Sequence, residues 1–277
     1  MSVIIGIDVG GSTTKICAIK DGVLLPPDSV TATDPLASVY GAFGKYTAEN
    51  KISLSGIDCV AVTGVGSAFL ENDIYGLPTK HISEFSATGK GGLFLSEKEE
   101  AIIVSMGTGT AIMHAKGKTS SHMGGTGVGG GTLVGLSKQM LGMTCAEEVA
   151  ELAKQGTLSN IDLTIEAMTK KDISPTLTAK TTASNFGNLT DTATKADVAL
   201  GIINMVFETT GMMAVFCSRQ KKVKDIVLTG NLSVLPQTKE KFESLSAMFD
   251  VNFIIPKLSQ YATVIGAAKS MITEENL

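Results

Sequence analysis

Apolar residues fall into two kinds of pattern along this chain. Unbroken runs, such as 3–5 and 225–229, are typical of buried strands, whereas apolar residues three or four positions apart predict amphipathic helices. The expected strands are at 3–8, 16–19, 57–62, 101–106, 110–115, 225–229 and 251–255. The expected helices are at 35–50, 84–95, 130–142, 145–155, 161–168, 195–219 and 234–248, with a last one from 260. Strands that alternate with helices indicate an α/β fold.

Two turns rich in glycine and hydroxyl residues each join a pair of predicted strands, about a hundred residues apart. The second covers 106–110, and the first connects Asp8 to Lys15 through Val9, Gly10, Gly11, Ser12, Thr13 and Thr14. Glycine brings bare N–H groups close to a ligand, and hydroxyl groups add donors. An ordinary β-hairpin is the alternative for either turn, but the repetition favours two halves of the chain that grip one phosphate chain from opposite sides.

Two charged side chains flank the first turn. Asp8 ends a predicted buried strand, and a carboxylate there can hold Mg²⁺ through water, because this ion gives up its water ligands reluctantly. Lys15 lies seven residues further on and is placed to meet a phosphate. A solvated Asp8 on a plain hairpin is the alternative interpretation.

A third glycine-rich segment, 124–132, leads into the helix expected at 130. Free N–H groups and the helix dipole both attract an anion, so the segment is a candidate nucleotide site. It lacks the Gly-Lys-Ser/Thr ending of the Walker loop. The dinucleotide fingerprint requires a strand directly before the glycines, and no strand is expected here. A flexible linker is the alternative, although apolar segments bound it on both sides.

Asn231 follows the predicted strand at 225–229. Ligands in open α/β sheets gather at the carboxyl ends of strands, so Asn231 is a candidate contact for a ribose, base or phosphate. It is equally suited to cap the next helix, which would start near Ser233.

Composition narrows the class of protein. The 277 residues are 43% hydrophobic and 18% charged, as is usual for soluble globular proteins, and the net charge of −4 argues against a nucleic-acid partner. The four cysteines include no Cys-x-x-Cys, which excludes zinc, iron–sulfur and redox motifs. Asp162 and Glu166 have no partner for a metal site and are expected to be solvated. Since the chain enters a strand at once, without a signal peptide, we expect a cytoplasmic protein.

The most apolar stretch of the chain is 198–217. It is long enough to span a membrane, but it carries polar residues at its centre. We therefore expect no membrane contact, and a helix that is buried between the two halves of the chain or at a dimer interface.

The motifs together resemble those of a known family. The turns at 8–15 and 107–109, with 229–231, are similar to those of the actin, hexokinase and heat-shock chaperone superfamily of ATP-binding proteins. Segment 105–110, the glycine run ending at Thr132, and Ala183-Ser184-Asn185-Phe186-Gly187-Asn188 look like type II pantothenate kinases, nearly end to end. The resemblance implies a two-lobed actin-like (ribonuclease H-like) ATPase fold with duplicated β-hairpin phosphate loops. We place the lobes at 1–100 and 101–277.

The resemblance implies a reaction as well as a fold. This is the transfer of the γ-phosphoryl group of ATP to the primary hydroxyl of pantothenate, the first step of coenzyme A synthesis, with ATP and Mg²⁺ as cofactors. The family is homodimeric, and the helix at 195–219 suits the interface. The turn at 8–15 would hold phosphates. The other expected contacts with ATP are Thr108, Gly130, Gly131, Thr132, Leu133, Val134, Ala146 and Asn231.

Three residues carry the expected chemistry toward the substrate. The general base of the family is a glutamate before an aromatic residue, here Glu84 before Phe85, and Thr182 matches a position that lines the pantothenate pocket. The alternative is that Glu84 only complements the dipole of the helix that it begins. Similar enzymes carry an arginine just before the glycine run, where this chain has His122. Arginine offers a permanent forked cation, whereas histidine offers one or two donors.

Two further hypotheses stand beside the first, and the change to His122, which bears on the substrate or on the rate, supports the former of the two. One is a kinase of the same superfamily for another small alcohol, such as a sugar or a relative of pantothenate. The other is a non-catalytic ATP-binding regulator that keeps the fold. Binding of ATP–Mg²⁺ and of candidate alcohols separates the three, because a bound ligand raises thermal stability.

Overall fold

Strands and helices alternate through most of the computed structural model, which describes residues 2–11, 13–31, 34–169, 179 and 181–272. The strands are β1 Val3–Val9, β2 Thr14–Lys20, β3 Val23–Leu24, β4 Asp28–Val30, β5 Cys59–Thr63, β6 Thr79–His81, β7 Glu100–Met106, β8 Thr110–Lys116, β9 Thr119–Thr126, β10 Leu163–Thr164, β11 Thr182–Ser184, β12 Asp225–Thr229 and β13 Asn252–Ile254. The helices are α1 Pro35–Glu49, α2 Glu84–Ser96, α3 Gly130–Leu141, α4 Ala146–Ala153, α5 Ile165–Thr169, α6 Lys195–Lys221, α7 Thr238–Phe249 and α8 Ala262–Lys269. The expected α/β class is confirmed.

The chain divides into two compact units. Unit 1 comprises Met1–Ile103, Met113–His122 and Pro256–Leu277, and unit 2 comprises Val104–Ile112 and Met123–Ile255. The division into lobes at 1–100 and 101–277 stays a prediction.

A six-stranded sheet forms the centre of unit 1. Its order is β3-β2-β1-β5-β6, with β4 beside β2, and β1 is antiparallel to β2 and parallel to β5. Because successive side chains of a strand point to opposite faces, Ile5 and Ile7 pack with Phe43 of α1, whereas Ile4 packs with Val264 of α8. The unbroken apolar run at the start of the chain is therefore covered on both faces.

Helices α2 and α8 of unit 1 touch at two glycines. A Cβ on Gly91 of α2 would collide with the carbonyl oxygen of Ala262, and a Cβ on Gly266 of α8 would collide with that of Ala87. The two backbones can approach this closely only because both residues lack a side chain. This contact fixes the position of α2, whose first residue is Glu84.

The second sheet has the order β13-β12-β7-β8-β9, and β10 pairs with β11 in a separate antiparallel ribbon. The longest helix, α6, begins with a capping box in which Thr194 and Asp197 each accept from the other's backbone N–H, at 3.2 and 2.8 Å. By length and composition α6 could cross a membrane, with a mean hydropathy of 1.6 in its most apolar window, but 61% of that window is buried inside the protein. Such burial is typical of a core helix.

The same strand ending occurs once in each unit. Gly64 follows β5 and Gly230 follows β12, and both have a φ of +86°. A Cβ on Gly64 would lie 2.6 Å from the carbonyl oxygen of Val9 at the end of β1, and one on Gly230 would lie 2.5 Å from that of Met106 at the end of β7. Each glycine therefore lets the chain turn against the end of a neighbouring strand, where one of the two glycine-rich turns begins.

Two segments differ from the sequence-based expectation. Residues 124–126 of the glycine-rich segment belong to β9, so a strand does precede the helix that begins at Gly130. The expected helix at 161–168 is divided between β10 and the short α5, because pairing with β11 draws Leu163–Thr164 into a ribbon.

Candidate active site

The first glycine turn closes the hairpin between β1 and β2. The Gly10 N–H donates to the carbonyl oxygen of Thr13 at 3.0 Å, which makes the turn tight. Gly11 at its tip is exposed, and Thr13 is half-buried. Ser12, also expected to contact ATP, lies outside the described residues.

Asp8 lies near the end of β1, opposite Lys15 on β2 and beside Thr63 on β5. Burial raises the pKa of the Asp8 carboxyl to about 6, while the positive charge of Lys15 lowers this pKa and the negative charge of Glu84 raises it. Unit 1 therefore brings both Lys15 and Glu84 within electrostatic reach of Asp8. A cation bound to Asp8 would favour its ionised form.

The surroundings of Asp8 fit Mg²⁺ held by one carboxylate. No group of three His, Cys, Asp or Glu side chains that could hold a metal occurs among the described residues. Mg²⁺ commonly binds through one or two carboxylates, with water and phosphate as its other ligands. The neighbouring Thr63 Oγ1 is fully buried and has no hydrogen-bond partner in the described part of the chain. Water ligands of an ion at Asp8 could provide that partner.

Lys15 is held by the segment before α8. Its ammonium donates to the carbonyl oxygen of Gln260 at 2.6 Å and lies 6.0 Å from the centre of the Tyr261 ring. Burial lowers the pKa of Lys15, and the charge of Asp8 raises it. Because an ammonium has three donors, Lys15 can join this segment and a phosphate at the same time.

Glu84 is the first residue of α2, with Ser83 at the N-cap position. It lies at the surface, yet desolvation by the protein around it raises its pKa. The helix dipole favours the ionised form at this position, and burial opposes it, so the pKa lies higher than the helix position alone predicts. A raised carboxyl pKa is suited to proton transfer near neutral pH.

The first turns of α2 rest on β9. The ring of His122 stacks on that of Phe85, with the centroids 4.2 Å apart and the planes within 11°. Ser120 Oγ donates to the carbonyl oxygen of Phe85 at 3.0 Å. Ser120 and His122 are two positions apart on one strand and so face the same side. His122 thus lies against the residue next to Glu84, a neighbourhood that sequence reasoning could infer only from the family resemblance.

In unit 2, the start of α3 docks onto the turn at 106–110. The Gly130 N–H donates to the carbonyl oxygen of Gly107, and the Gly131 N–H to that of Thr108, both at 2.8 Å. The expectation of free N–H groups at this helix start is therefore wrong for these two glycines. A Cβ on Gly130 would lie 2.9 Å from the Gly107 oxygen, so the glycine run is needed for the docking itself. The Thr108 side chain stays exposed.

Other residues expected at ATP differ in exposure. Thr132 Oγ1 donates to the carbonyl oxygen of Gly127 at 2.9 Å. Leu133 is a fully buried core residue, so its side chain cannot be the ATP contact that the resemblance implies. Val134 and Ala146 are half-buried, and Ala146 is the first residue of α4.

Asn231 is exposed beside Gly230. It is the first residue of a short 3₁₀ turn whose N-cap position is held by Gly230, so the alternative of Asn231 as a helix cap is wrong. A Cβ on Gly230 would lie 2.5 Å from the carbonyl oxygen of Met106, and a Cβ on Gly130 would lie 3.7 Å from Leu232 Cδ2. The exposed Asn231 therefore lies at the same strand ends as the turn that α3 docks onto.

Thr182 lies on β11 against α6. Its hydroxyl donates to Glu208 Oε1 at 2.8 Å, and Lys241 donates to the same oxygen at 2.6 Å. Asp162 is 1% exposed, accepts from Asn204 Nδ2 at 2.7 Å, and has a pKa that burial raises. The expectation that Asp162 is solvated is wrong, because the residue belongs to this buried network and not to a helix surface.

Comparison with known proteins identifies the family. The Fumble family model matches residues 97–252, more than half of the chain. A type II pantothenate kinase of Staphylococcus saprophyticus is 28% identical over 236 residues, which cover 82% of this chain and 84% of that protein. A type II pantothenate kinase of Bacillus cereus is 28% identical over 243 residues, with coverage of 82% and 83%.

A solved structure supports the fold. The activator of the 2-hydroxyisocaproyl-CoA dehydratase from Clostridium difficile, with bound ADPNP, superposes with a TM-score of 0.68 at 16% identity, over 96% of this chain and 92% of that chain. At this identity the likeness shows the fold alone, and it supports the predicted two-lobed α/β fold.

Proposed function

The chain belongs to the Fumble family of type II pantothenate kinases, and we propose that it transfers the γ-phosphoryl group of ATP to the primary hydroxyl of pantothenate. The structural observation that carries the proposal is that Lys15 lies opposite Asp8 across β1 and β2, with the charge of Glu84 in reach of Asp8. These residues are a carboxylate suited to a metal, a cation suited to a phosphate and a carboxyl suited to take up a proton. Together they are the parts that phosphoryl transfer requires.

Glu84 is the general base in this proposal. The hydroxyl oxygen of pantothenate attacks the γ-phosphorus, its proton passes to Glu84, and the bond from phosphorus to the β,γ-bridging oxygen breaks to release ADP. Because such transition states are loose, proton transfer contributes less than positioning and charge. A general base typically contributes about 10²- to 10⁴-fold.

The negative charge of the ATP phosphates is stabilised by groups in both units. In unit 1, Lys15 and the backbone N–H of Gly11 hold phosphate oxygens, whereas the N–H of Gly10 already donates to Thr13 within the turn. In unit 2, the exposed Thr108 and Asn231 contact the nucleotide. Mg²⁺, when bound at Asp8, neutralises phosphate charge. Backbone donors and cations fixed before the reaction stabilise the charge that develops in it without reorganising.

His122 and Thr182 bind pantothenate in this proposal. His122 is fixed by its stack on Phe85, one residue from Glu84. Its imidazole has a ring nitrogen that can donate a hydrogen bond to the substrate. Thr182 supplies a hydroxyl on β11 of unit 2.

We further propose a cytoplasmic homodimer that joins through α6. Phe216 on this helix is 58% exposed although most of α6 is buried. An exposed aromatic residue on an apolar helix is typical of an interface. Light scattering coupled to size-exclusion chromatography measures the oligomeric state, and Phe216→Glu should give a monomer if this part of α6 forms the interface.

Product identification tests the proposed activity. The purified chain is incubated with ATP, Mg²⁺ and pantothenate, and ³¹P NMR locates the new phosphate ester. We expect a phosphate on the primary hydroxyl of pantothenate, which Glu84→Gln strongly reduces. Glucose, tested in parallel, serves as a second alcohol. Phosphorylation of glucose but not of pantothenate, or ATP binding without any turnover, would overturn the proposal.

A further inference from the structure

The hydroxyl of Thr182 has a fixed direction in unit 2. Glu208 Oε1 lies 2.8 Å from Thr182 Oγ1, and an ionised carboxylate can only accept a hydrogen bond. The single proton of the Thr182 hydroxyl therefore points to Glu208. Asn204 Nδ2 lies 3.5 Å from the same Oγ1, at the long limit of a hydrogen bond. At least one lone pair of Oγ1 remains for a ligand.

Glu208 is itself held by further donors. Lys241 Nζ donates to Oε1 at 2.6 Å, and Asn185 Nδ2 donates to Oε2 at 3.0 Å. The side chains of Lys241 and Glu208 are only 21% and 20% exposed. Both carboxylate oxygens are thus occupied by donors, so Glu208 is unlike a solvated acidic residue that could turn away from Thr182.

The segment that follows Thr182 is fixed by the same network. The Phe186 N–H donates to Asp162 Oδ1 at 2.8 Å, and Phe186 has a φ of +58°, which is uncommon for a residue with a side chain. Asn204 and Glu208 are four residues apart and so lie on one face of α6. One face of α6 therefore orients both Thr182 and the turn after it.

We infer that Glu208 is a positioning residue for Thr182, which it presents to the substrate as a hydrogen-bond acceptor only. The inference rests on the proposed function. It predicts that Thr182 Oγ1 receives a hydrogen bond from a donor group of pantothenate, a hydroxyl or the amide N–H. A substrate with an acceptor at that point would face the Thr182 oxygen with no proton between the two acceptors, and it would bind more weakly.

A cycle of variants tests the coupling between the two residues. Thr182→Val removes the hydroxyl at nearly the same shape. Glu208→Leu combined with Lys241→Met replaces the ion pair by apolar side chains, a change that buried pairs often tolerate. The third variant carries all three substitutions. Glu243→Leu combined with Lys239→Met is the matched control, because it makes the same two replacements in an exposed ion pair of α7.

We expect Thr182→Val and the pair replacement each to raise the KM for pantothenate about three- to tenfold. The kcat and the KM for ATP should stay within about twofold of native. If Glu208 acts through Thr182, the triple variant should be no worse than Thr182→Val, because interacting residues are not additive. The control pair should keep the native KM for pantothenate.

Several results would overturn the inference alone. One is an unchanged KM for pantothenate in the Glu208–Lys241 replacement, and another is independent effects that multiply in the triple variant. An equal rise in KM with the control pair would also overturn it, as would losses in kcat and in the KM for ATP that indicate a structural defect. Absence of pantothenate phosphorylation by the native chain would instead overturn the proposed function, and the inference with it.

Discussion

The imidazole of His122 lies flat on the ring of Phe85, at a centroid distance of 4.2 Å. Phe85 is the second residue of α2 and directly follows Glu84. The residue at which this chain departs from the arginine of similar enzymes is therefore packed against the neighbour of the candidate base. A guanidinium is also planar and stacks on aromatic faces, so histidine and arginine can share this geometry while differing in charge.

The first prediction concerns this stack. His122→Ala should lower kcat/KM for pantothenate about tenfold, because the substrate loses a positioned donor. His122→Arg should keep or raise it, since a guanidinium can stack on Phe85 and adds a permanent charge. Steady-state kinetics with varied pantothenate measure the effect.

A second exposed histidine serves as the control for that prediction. His81 is exposed at the end of β6 in the same unit, and His81→Ala should leave kcat/KM unchanged. Native kinetics in His122→Ala would mean that His122 has no contact with the substrate and that the departure from arginine has no consequence.

The second prediction concerns the stability of the ligand-free protein. The pKa of Asp8 is raised from 3.8 to about 6, so between these values the native state keeps a proton that the unfolded state has lost. By linkage, the stabilising contribution is complete below about pH 4 and is lost as the pH rises through about 6. Asp8→Asn cannot titrate and should not show this loss, which is at most about 3 kcal/mol.

Urea unfolding at pH 4, 5, 6 and 7 measures the effect of Asp8→Asn. Relative to Asp8→Asn, the native chain should become less stable across this range. Asp191→Asn, at an exposed aspartate of unit 2, should follow the native curve. Parallel curves for native and Asp8→Asn would show that Asp8 is not held in its protonated form. Turnover that depends on Mg²⁺ should also be largely lost in Asp8→Asn.

The third prediction compares two glycines inside helices of unit 1. Gly266→Ala should lower the free energy of unfolding by about 1–3 kcal/mol or more, because the new methyl group collides with the backbone of α2. Gly41 of α1 has open space around it, so Gly41→Ala should raise stability by about 0.5–1 kcal/mol through better helix propensity. Chemical denaturation measures both. Equal effects at the two positions would contradict the close contact between α2 and α8.

Continuous apolar runs were sufficient to predict the buried strands. The strand β12 has the bounds that the run at 225–229 predicts, and a glycine marks its end. The strand β9 was missed because its residues are mostly polar or glycine and partly exposed, so it lacks the alternation that indicates a strand. In the same way, α5 and β10 were merged into one helix because short segments are decided by pairing with β11 and not by local pattern.

Long-range contacts explain what the sequence could not predict of the site. Within a helix, Gly91 and Gly266 look like a cost to stability, and nothing local indicates that they meet. The amides of Gly130 and Gly131 were expected to be free, and their partners belong to a turn more than twenty residues earlier. The motifs predicted which residues are candidates, whereas the hydrogen bonds decide which of their atoms remain for a ligand.

The fourth prediction concerns the pH profile of turnover, which the pKa of Glu84 should set at its acid side. Desolvation raises its pKa above 4.5, and a carboxyl can accept a proton only when it is ionised. The acid limb of the kcat profile should therefore lie at higher pH than an unperturbed glutamate would give. A kcat that stays level down to pH 4.5 would contradict this role for Glu84.

The central claim is that Glu84 accepts the proton of the pantothenate hydroxyl during phosphoryl transfer. Glu84→Gln keeps the shape of the side chain and removes the proton acceptor. The most direct test of the claim is the single-turnover rate at which Glu84→Gln forms phosphopantothenate, measured together with the Kd of this variant for ATP. We predict a rate about 10²- to 10⁴-fold below native with an ATP Kd within about twofold of native. A rate within about threefold of native, or equal losses in rate and in ATP affinity, would contradict the claim.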